Sequence, residues 1–339
     1  MPMEEGESGM DYRTCAEKAL AGECLTDGEG LAVLQAPDDA LLDVLASAFT
    51  VRRRHFGRRV LLHVLMNAKS GLCPEDCGYC SQSSISTAAI ERYPLKSREE
   101  ILAEARRAAR VGAKRFCLVI SGRGPTDREV EGLTAAVRAI KQELPLGICC
   151  SVGLLTPEQA AAFKAAGVDR INHNLNTSER YYPEICTTHT YRDRLDTLDA
   201  VRAARLERCC GLIAGQGETD QDLIDVAKAL RRLRPDSIPV NFLHPISGTP
   251  LEHVRELTPN RCLKILCLFR FYNPDAEIRV AGGREHNLGP LQALSLYPAN
   301  AIFVNGYLTT DGQPADEAIA MIHHMGFEIE PAGQNAVTT

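Results

Sequence analysis

Three cysteines stand close together in the segment NAKSGLCPEDCGYCSQS at 67–83, with Cys73, Cys77 and Cys80 spaced C-x3-C-x2-C. Thiolates are soft ligands, and three held this near one another can each take one iron of a 4Fe-4S cube. The fourth iron then has no protein ligand and is free to chelate a substrate. A structural zinc site is the alternative, but such sites close with four ligands at C-x2-C or Cys/His spacing, and no histidine lies in this loop. A second group is more dispersed. Cys117, Cys149 and Cys209 fall within three separate apolar runs, and Arg279 falls within a fourth. Amides form a third group. The run RINHNLNT at 170–177 places Asn172, Asn174 and Asn176 on one face by period-two reading, with Ile171, His173 and Leu175 on the other. Asn241 is an isolated amide between Val240 and Phe242.

These side chains need a scaffold. From about Arg59 onward, short β-rich runs alternate with helical stretches, the pattern of parallel strands joined by crossover helices. The runs are Val60 to Ala68, Arg115 to Ser121, Gly147 to Val152, Arg170 to Leu175, Arg208 to Ala214, Ser237 to Leu243, Ala276 to Ala281 and Ala301 to Val304. Between them lie helical candidates such as Arg98 to Val111, Thr156 to Ala166, Thr219 to Leu233, Pro259 to Tyr272 and Ala315 to Met325. Eight runs predict an α/β fold, a complete (β/α)8 barrel of the TIM type, with an open doubly wound sheet as the alternative. Residues 1–58 read as an N-terminal helical extension, 59–330 as the barrel and 331–339 as a flexible tail.

On that scaffold the cysteine triplet follows the first strand, at the end where barrel enzymes keep their chemistry. Strand side chains alternate, so Cys149 and Cys150 cannot both face the axis, nor can Cys209 and Cys210. A barrel interior is normally packed with branched apolar residues. Several thiols and a guanidinium converging there need a polar partner such as a metal cluster. Arg284, after a Gly-Gly turn, fits a loop better than the interior. Cys262 and Cys267 on a helix read as small core residues, and Cys186 as a spare thiol at the barrel mouth. His63, His244 and His286 lack metal-ligand spacing and read as satisfied or surface residues.

The chain has 339 residues, 45% hydrophobic and 24% charged, the balance of a soluble globular protein. No segment has the apolar length of a membrane span, and a formal charge of -6 gives no overall pull toward nucleic acid. The basic run Arg52, Arg53, Arg54, Arg58, Arg59 reads as a solvated face. The acidic stretch Met1 to Gly9 lacks the order of a signal peptide, which predicts a cytoplasmic location and reduced thiols despite 13 cysteines.

The C-x3-C-x2-C triplet after a barrel strand, with Tyr79 just before its last cysteine, resembles the signature of the radical S-adenosylmethionine superfamily. FCLVISGRGPT at 116–126, ICCSVGLLT at 148–156, CCGLIAGQGET at 209–219 and EIRVAGGRE at 277–285 resemble segments of the biotin synthase family, a likeness running from about Gly57 to Ile329. The resemblance implies that the cluster at Cys73, Cys77 and Cys80 binds S-adenosylmethionine and generates a 5'-deoxyadenosyl radical. It implies an auxiliary iron-sulfur cluster on Cys117, Cys149, Cys209 and Arg279, expected as 2Fe-2S with a four-iron form possible, that donates sulfur to dethiobiotin. It assigns Tyr79, Asn172, Asn174, Asn176 and Asn241 to cofactor or substrate contact, and the Gly-rich turn at 211–218 to the adenine. It further implies an electron donor such as flavodoxin or ferredoxin and a homodimer. The C-H bonds to be broken carry no acidic proton, which accounts for the lack of a persuasive acid-base pair.

Overall fold

The structure, a computed structural model, describes residues 10–310 and 312–331. The flexible tail expected after Pro331 lies outside the described residues.

Three helices come first, α1 (Tyr12–Leu20), α2 (Asp27–Leu34) and α3 (Leu41–Phe56). The alternating part then runs β1 (Arg59–Lys69), α4 (Arg98–Arg110), β2 (Arg115–Ile120), α5 (Asp127–Glu143), β3 (Gly147–Ser151), α6 (Pro157–Ala165), β4 (Arg170–Asn172), α7 (Tyr182–Ile185) and α8 (Tyr191–Ala203). It continues with β5 (Glu207–Cys209), β6 (Leu212–Ala214), α9 (Asp220–Leu233), β7 (Ser237–Phe242), α10 (Pro259–Tyr272), β8 (Glu277–Val280), α11 (Arg284–Leu288), β9 (Ala301–Val304), α12 (Ala315–His324) and β10 (Glu328–Ile329). Each barrel strand pairs in parallel with its neighbours, and β9 returns to β1, so the sheet closes. Closure excludes the open doubly wound sheet. The eight expected runs are the eight staves, the fifth being broken into β5 and β6. The two-residue β10, too short to show a period, adds to the outer start of β1.

The break between β5 and β6 has a local cause. A Cβ on Gly211 would lie 1.9 Å from the Pro239 carbonyl oxygen, so the backbone passes there only without a side chain. Regular pairing stops, and Asn174 bridges the gap by accepting from the Gly211 N–H at 3.0 Å.

The helices begin where the strands end. Ser97, Thr126, Thr156, Thr190 and Thr219 cap α4, α5, α6, α8 and α9, each in a reciprocal capping box. Repeating that device directs helix N-termini and loops toward one face of the barrel, the face that carries the cysteine loop. In α9 the box also fastens the loop after β4. Asp222, 1% exposed, accepts from Thr219 N–H at 2.9 Å, Ser178 Oγ at 2.6 Å and Arg180 Nε at 2.9 Å. Burial opposes its ionisation, but these donors outweigh burial and hold the carboxyl well below the usual carboxylate range. Arg180 is largely exposed, so the buried bonds matter more than the ion pair. A depressed folded pKa stabilises above the unfolded value of about 3.9 and ceases to as pH falls. Asp222→Asn is expected to cost about 2 kcal/mol at pH 7 and to flatten the loss of stability between pH 5 and pH 3. Urea midpoints across that range check it; parallel pH curves would place the acid sensitivity elsewhere.

The helices α1–α3 pack on α9 and α10 outside the barrel. Here the basic run departs from expectation. Arg52 is fully buried rather than solvated, donating to the carbonyls of Gly57, Arg59 (2.7 Å) and Ala299 (3.3 Å) beneath the barrel. Its spacing from Val44, Leu45, Ala48 and Val51 keeps it on the apolar face of α3.

Candidate functional site

A cavity of about 300 Å³ opens at the C-terminal ends of the strands. Its wall includes Cys73, Cys77, Tyr79 and Cys80 from the loop after β1, Cys117 from β2 and Cys149 from β3. Asn172, Asn174 and Asn176 follow from β4 and the loop beyond it, with Asn241 from β7 and Arg279 from β8. Cys209 lies behind Arg279, whose Nη2 donates to its sulfur at 3.0 Å. The cysteine triplet with Tyr79, the three strand cysteines with Arg279 and the four asparagines are thus brought to one place.

The loop cysteines are held before any ligand arrives. Asp76, between Cys73 and Cys77, accepts from the N–H groups of Thr187 (2.9 Å) and Thr188 (3.2 Å) and from the hydroxyls of both. Gly78 N–H donates to Ile185 O at 2.9 Å. Glu75 accepts from Thr188 Oγ1 at 2.5 Å and contacts His189 Nδ1. Burial raises the pKa of Cys73 and lifts Cys80 to about 11, and Cys77 is raised by its contact with Cys186 and then by burial. Such thiols keep their protons until a cation takes their place.

Cys186 lies 3.7 Å from Cys77 Sγ and 3.2 Å from His189 Nδ1, so a histidine does come near the triplet, from another loop. The His189 Nε2 accepts from Arg194 Nη2 at 2.8 Å, which puts the ring proton on Nδ1, toward Glu75 and Cys186. A metal on Nδ1 would displace that proton to Nε2, against a guanidinium that can only donate. The arrangement therefore favours a buried hydrogen-bond network over a zinc site.

Inside the barrel the register question is resolved by packing. Cys117 and Cys149 are opposed on neighbouring strands and pack with Ala281 and Phe303 in the interior, whereas Cys150 and Cys210 belong to the large core between strands and helices. Cys149 is raised by its contact with the Cys117 thiol, and Cys209 by burial despite Arg279. Arg284 points elsewhere, to Gln292, Gln313 and Glu285. It opens α11 rather than sitting in a loop, and it is buried.

The asparagine run behaves differently from its expected alternation. Regular pairing of β4 ends at Asn172, and Asn176 takes a φ of +69°, so the chain twists and His173 also reaches the cavity wall. Ile171 and Leu175 do stay in the outer core. Asn172 donates to Ser151 Oγ at 3.2 Å and its buried Oδ1 has no partner; Asn176 donates to Tyr79 Oη at 2.6 Å. Asn241 bridges Leu212 O and Gly282 N–H, each at 2.9 Å. Among the histidines, His244 lines the cavity and stacks on His286 with centroids 4.3 Å apart, while His63 bonds Arg279.

Arg194 was not singled out by the sequence reading. It lines the cavity from α8, donating to Asn174 O at 2.9 Å and to Tyr182 Oη. The available signal was its place among Tyr191, Leu198 and Val201, where a charge interrupts an apolar helix face.

Known proteins resemble this chain in sequence as well as in fold. The Radical SAM superfamily profile matches residues 69–230, and that of the Biotin and Thiamin Synthesis associated domain matches residues 239–328. A biotin synthase of Acaryochloris marina is 52% identical over 319 residues, 94% of this chain and 92% of the relative. One of Bacillus subtilis is 53% identical over 315 residues, 93% of this chain and 94% of the relative. A solved methylornithine synthase aligns with a TM-score of 0.83 over 94% of this chain and 98% of that one, but at 20% identity it speaks to the fold alone. More than half identical to those curated relatives along nearly the full length of each, the chain belongs to the biotin synthase family of radical S-adenosylmethionine enzymes.

Proposed function

We propose that this protein inserts sulfur into dethiobiotin to form biotin, with Cys73, Cys77 and Cys80 holding the 4Fe-4S cluster and Cys117, Cys149, Cys209 and Arg279 holding the auxiliary cluster. The observation that carries the reading is the placement of two separate cysteine sets along one cavity, one at its mouth and one at its floor. Family membership brings S-adenosylmethionine, a 4Fe-4S cluster and an auxiliary iron-sulfur cluster with it. The donors fit: both sets offer soft thiols, Cys77 and the three interior ones buried and Cys73 and Cys80 half-buried, and Arg279 would join them by giving up a proton to the incoming group. When bound, the first cluster with S-adenosylmethionine supplies a radical that removes hydrogen from an unactivated C-H bond, and the second, 2Fe-2S in this reading, supplies the sulfur.

The chain's own residues bind and orient. The Asp76 and Glu75 contacts fix the loop, so its three thiols converge without first paying the full cost of ordering it. Arg194 is a fixed cation on the cavity wall, suited to a carboxylate. The unpartnered Oδ1 of Asn172 can accept from a substrate N–H, such as that of a ureido ring. Asn176 and Tyr79 form one polar ledge, and Asn174 and Asn241 chiefly brace the wall on which the nucleoside would lie. Apolar side chains such as Leu65, Val119 and Phe303 complete the wall and keep water from a reactive intermediate. A flavodoxin or ferredoxin would supply the electron, and the enzyme would work as a homodimer.

Anaerobic reconstitution with iron and sulfide, then addition of reductant, S-adenosylmethionine and dethiobiotin, tests the reading. Biotin and 5'-deoxyadenosine are expected together, and Cys77→Ala is expected to lose both. Deoxyadenosine without biotin would overturn the substrate; neither product, with clusters intact, would overturn the reaction.

A further inference from the structure

The floor of the cavity carries a charge network that the reaction itself does not call for. Arg279 is 2% exposed, and its Nη1 donates to Glu277 Oε1 (3.1 Å), His63 Nδ1 (3.1 Å) and Ser237 Oγ (3.3 Å). Only Nη2 is turned upward, to Cys209 Sγ at 3.0 Å. Beneath, Glu277 accepts from Ser237 Oγ at 2.7 Å and pairs with Arg170 at 3.0 Å, and Arg170 and Arg115 share Glu207 at 2.9 and 2.6 Å.

His63 is the odd member. It is 0% exposed, on β1 opposite Arg115 and Phe303. A guanidinium has no acceptor, so His63 Nδ1 must accept from Arg279 and the ring proton sits on Nε2, 3.4 Å from Glu277 Oε1. The Phe303 ring meets His63 edge-on at 5.7 Å and lies 4.8 Å from Arg279 Cζ, fixing both planes. An aliphatic residue at position 63 would remove one of the three acceptors that hold Nη1, leaving Glu277 and Ser237 to aim the group alone.

We propose that His63 is a positioning residue for the auxiliary cluster: an acceptor that, with Glu277 and Ser237, holds Nη1 of Arg279 and leaves Nη2 aimed at Cys209. The inference rests on the assignment of Cys117, Cys149, Cys209 and Arg279 to that cluster. Partners of metal ligands commonly change metal retention by roughly 10–100-fold when removed.

The test compares reconstituted His63→Leu, His63→Asn and Cys209→Ala enzymes by iron and sulfide content, Mössbauer spectrum, and the rate at which a chelator strips auxiliary iron. His63→Leu is expected to lose auxiliary iron about tenfold faster or more, with an altered auxiliary spectrum. Its loop cluster and its deoxyadenosine formation should be unchanged. His63→Asn, which keeps an acceptor close to the Nδ1 position, should restore most of the retention. If Cys209→Ala loses auxiliary iron while His63→Leu keeps it as wild type does, the role of His63 is overturned and the ligand assignment stands. If Cys209→Ala keeps all its auxiliary iron, the ligand assignment falls and this inference with it. Loss of both clusters in His63→Leu and in His63→Asn alike would make His63 a folding residue and overturn the proposal.

Discussion

Cys149→Ala is expected to abolish biotin formation and remove auxiliary iron, whereas Cys150→Ala, one residue along the same strand, retains both and costs only about 1 kcal/mol of stability. The contrast follows from the two faces of β3. Cys149 meets Cys117 and Cys209 inside the barrel, where the three thiols and Arg279 form a single donor set. On the ligand assignment proposed above, removing one member would leave an iron without a ligand, a loss that packing cannot replace. Cys150 is just as buried, but it lies in the apolar layer beneath the helices and acts as a small hydrophobe there. Auxiliary iron per chain, biotin per chain in a single turnover and the urea midpoint measure the three effects separately. Loss of auxiliary iron on changing Cys150 alone would mean that the strand is displaced by one residue from the register described above. The same comparison holds for Cys209 and Cys210.

That pair also shows how far sequence reasoning reaches. Alternation along a strand requires one cysteine of each pair to face inward but carries no sign, because a doubly covered parallel strand is apolar on both faces. The sign comes from the neighbouring strands, through the opposition of Cys117 to Cys149 and of Asn172 to Cys209. The eight staves were legible because each is an apolar run and most lead into a helix opened by a Ser or Thr cap, and the triplet because its spacing is local. Alternation through Leu175 failed after Asn172, where the missing side chain of Gly211 lets the adjoining stave break and the asparagines become braces. His189 and Glu75 were not legible, because their contact joins segments more than a hundred residues apart, which no local period records. Arg194 left one local trace, a charge on the apolar face of α8. Arg52 was misread for a related reason: a basic run suggests a solvated face, yet the turn of α3 carries one member inward.

The largest effect on stability is expected from Arg270→Met, a loss on the order of 3–5 kcal/mol. Arg270 is fully buried on α10, and burial, together with nearby Arg52, presses against its charge. The structure answers with acceptors: Nε donates to Pro298 O at 2.9 Å, Nη1 to Pro274 O at 2.9 Å and Ala276 O at 2.8 Å, and Nη2 to Asn300 Oδ1 at 2.8 Å. Methionine fills similar space but leaves all four acceptors without this donor, away from water. Lysine would keep the charge but not the planar fork, and Arg270→Lys should recover less than half of the loss. These acceptors lie at the entries to β8 and β9, where Asn300 also accepts from the Ile278 N–H at 2.9 Å. The strands so anchored carry Arg279 and Phe303 to the cavity floor. Auxiliary iron should therefore become labile in Arg270→Met at urea concentrations that leave the loop cluster in place. Circular dichroism and iron release followed in the same titration would measure both, and a loss below about 1 kcal/mol would show that water reaches and satisfies these carbonyls.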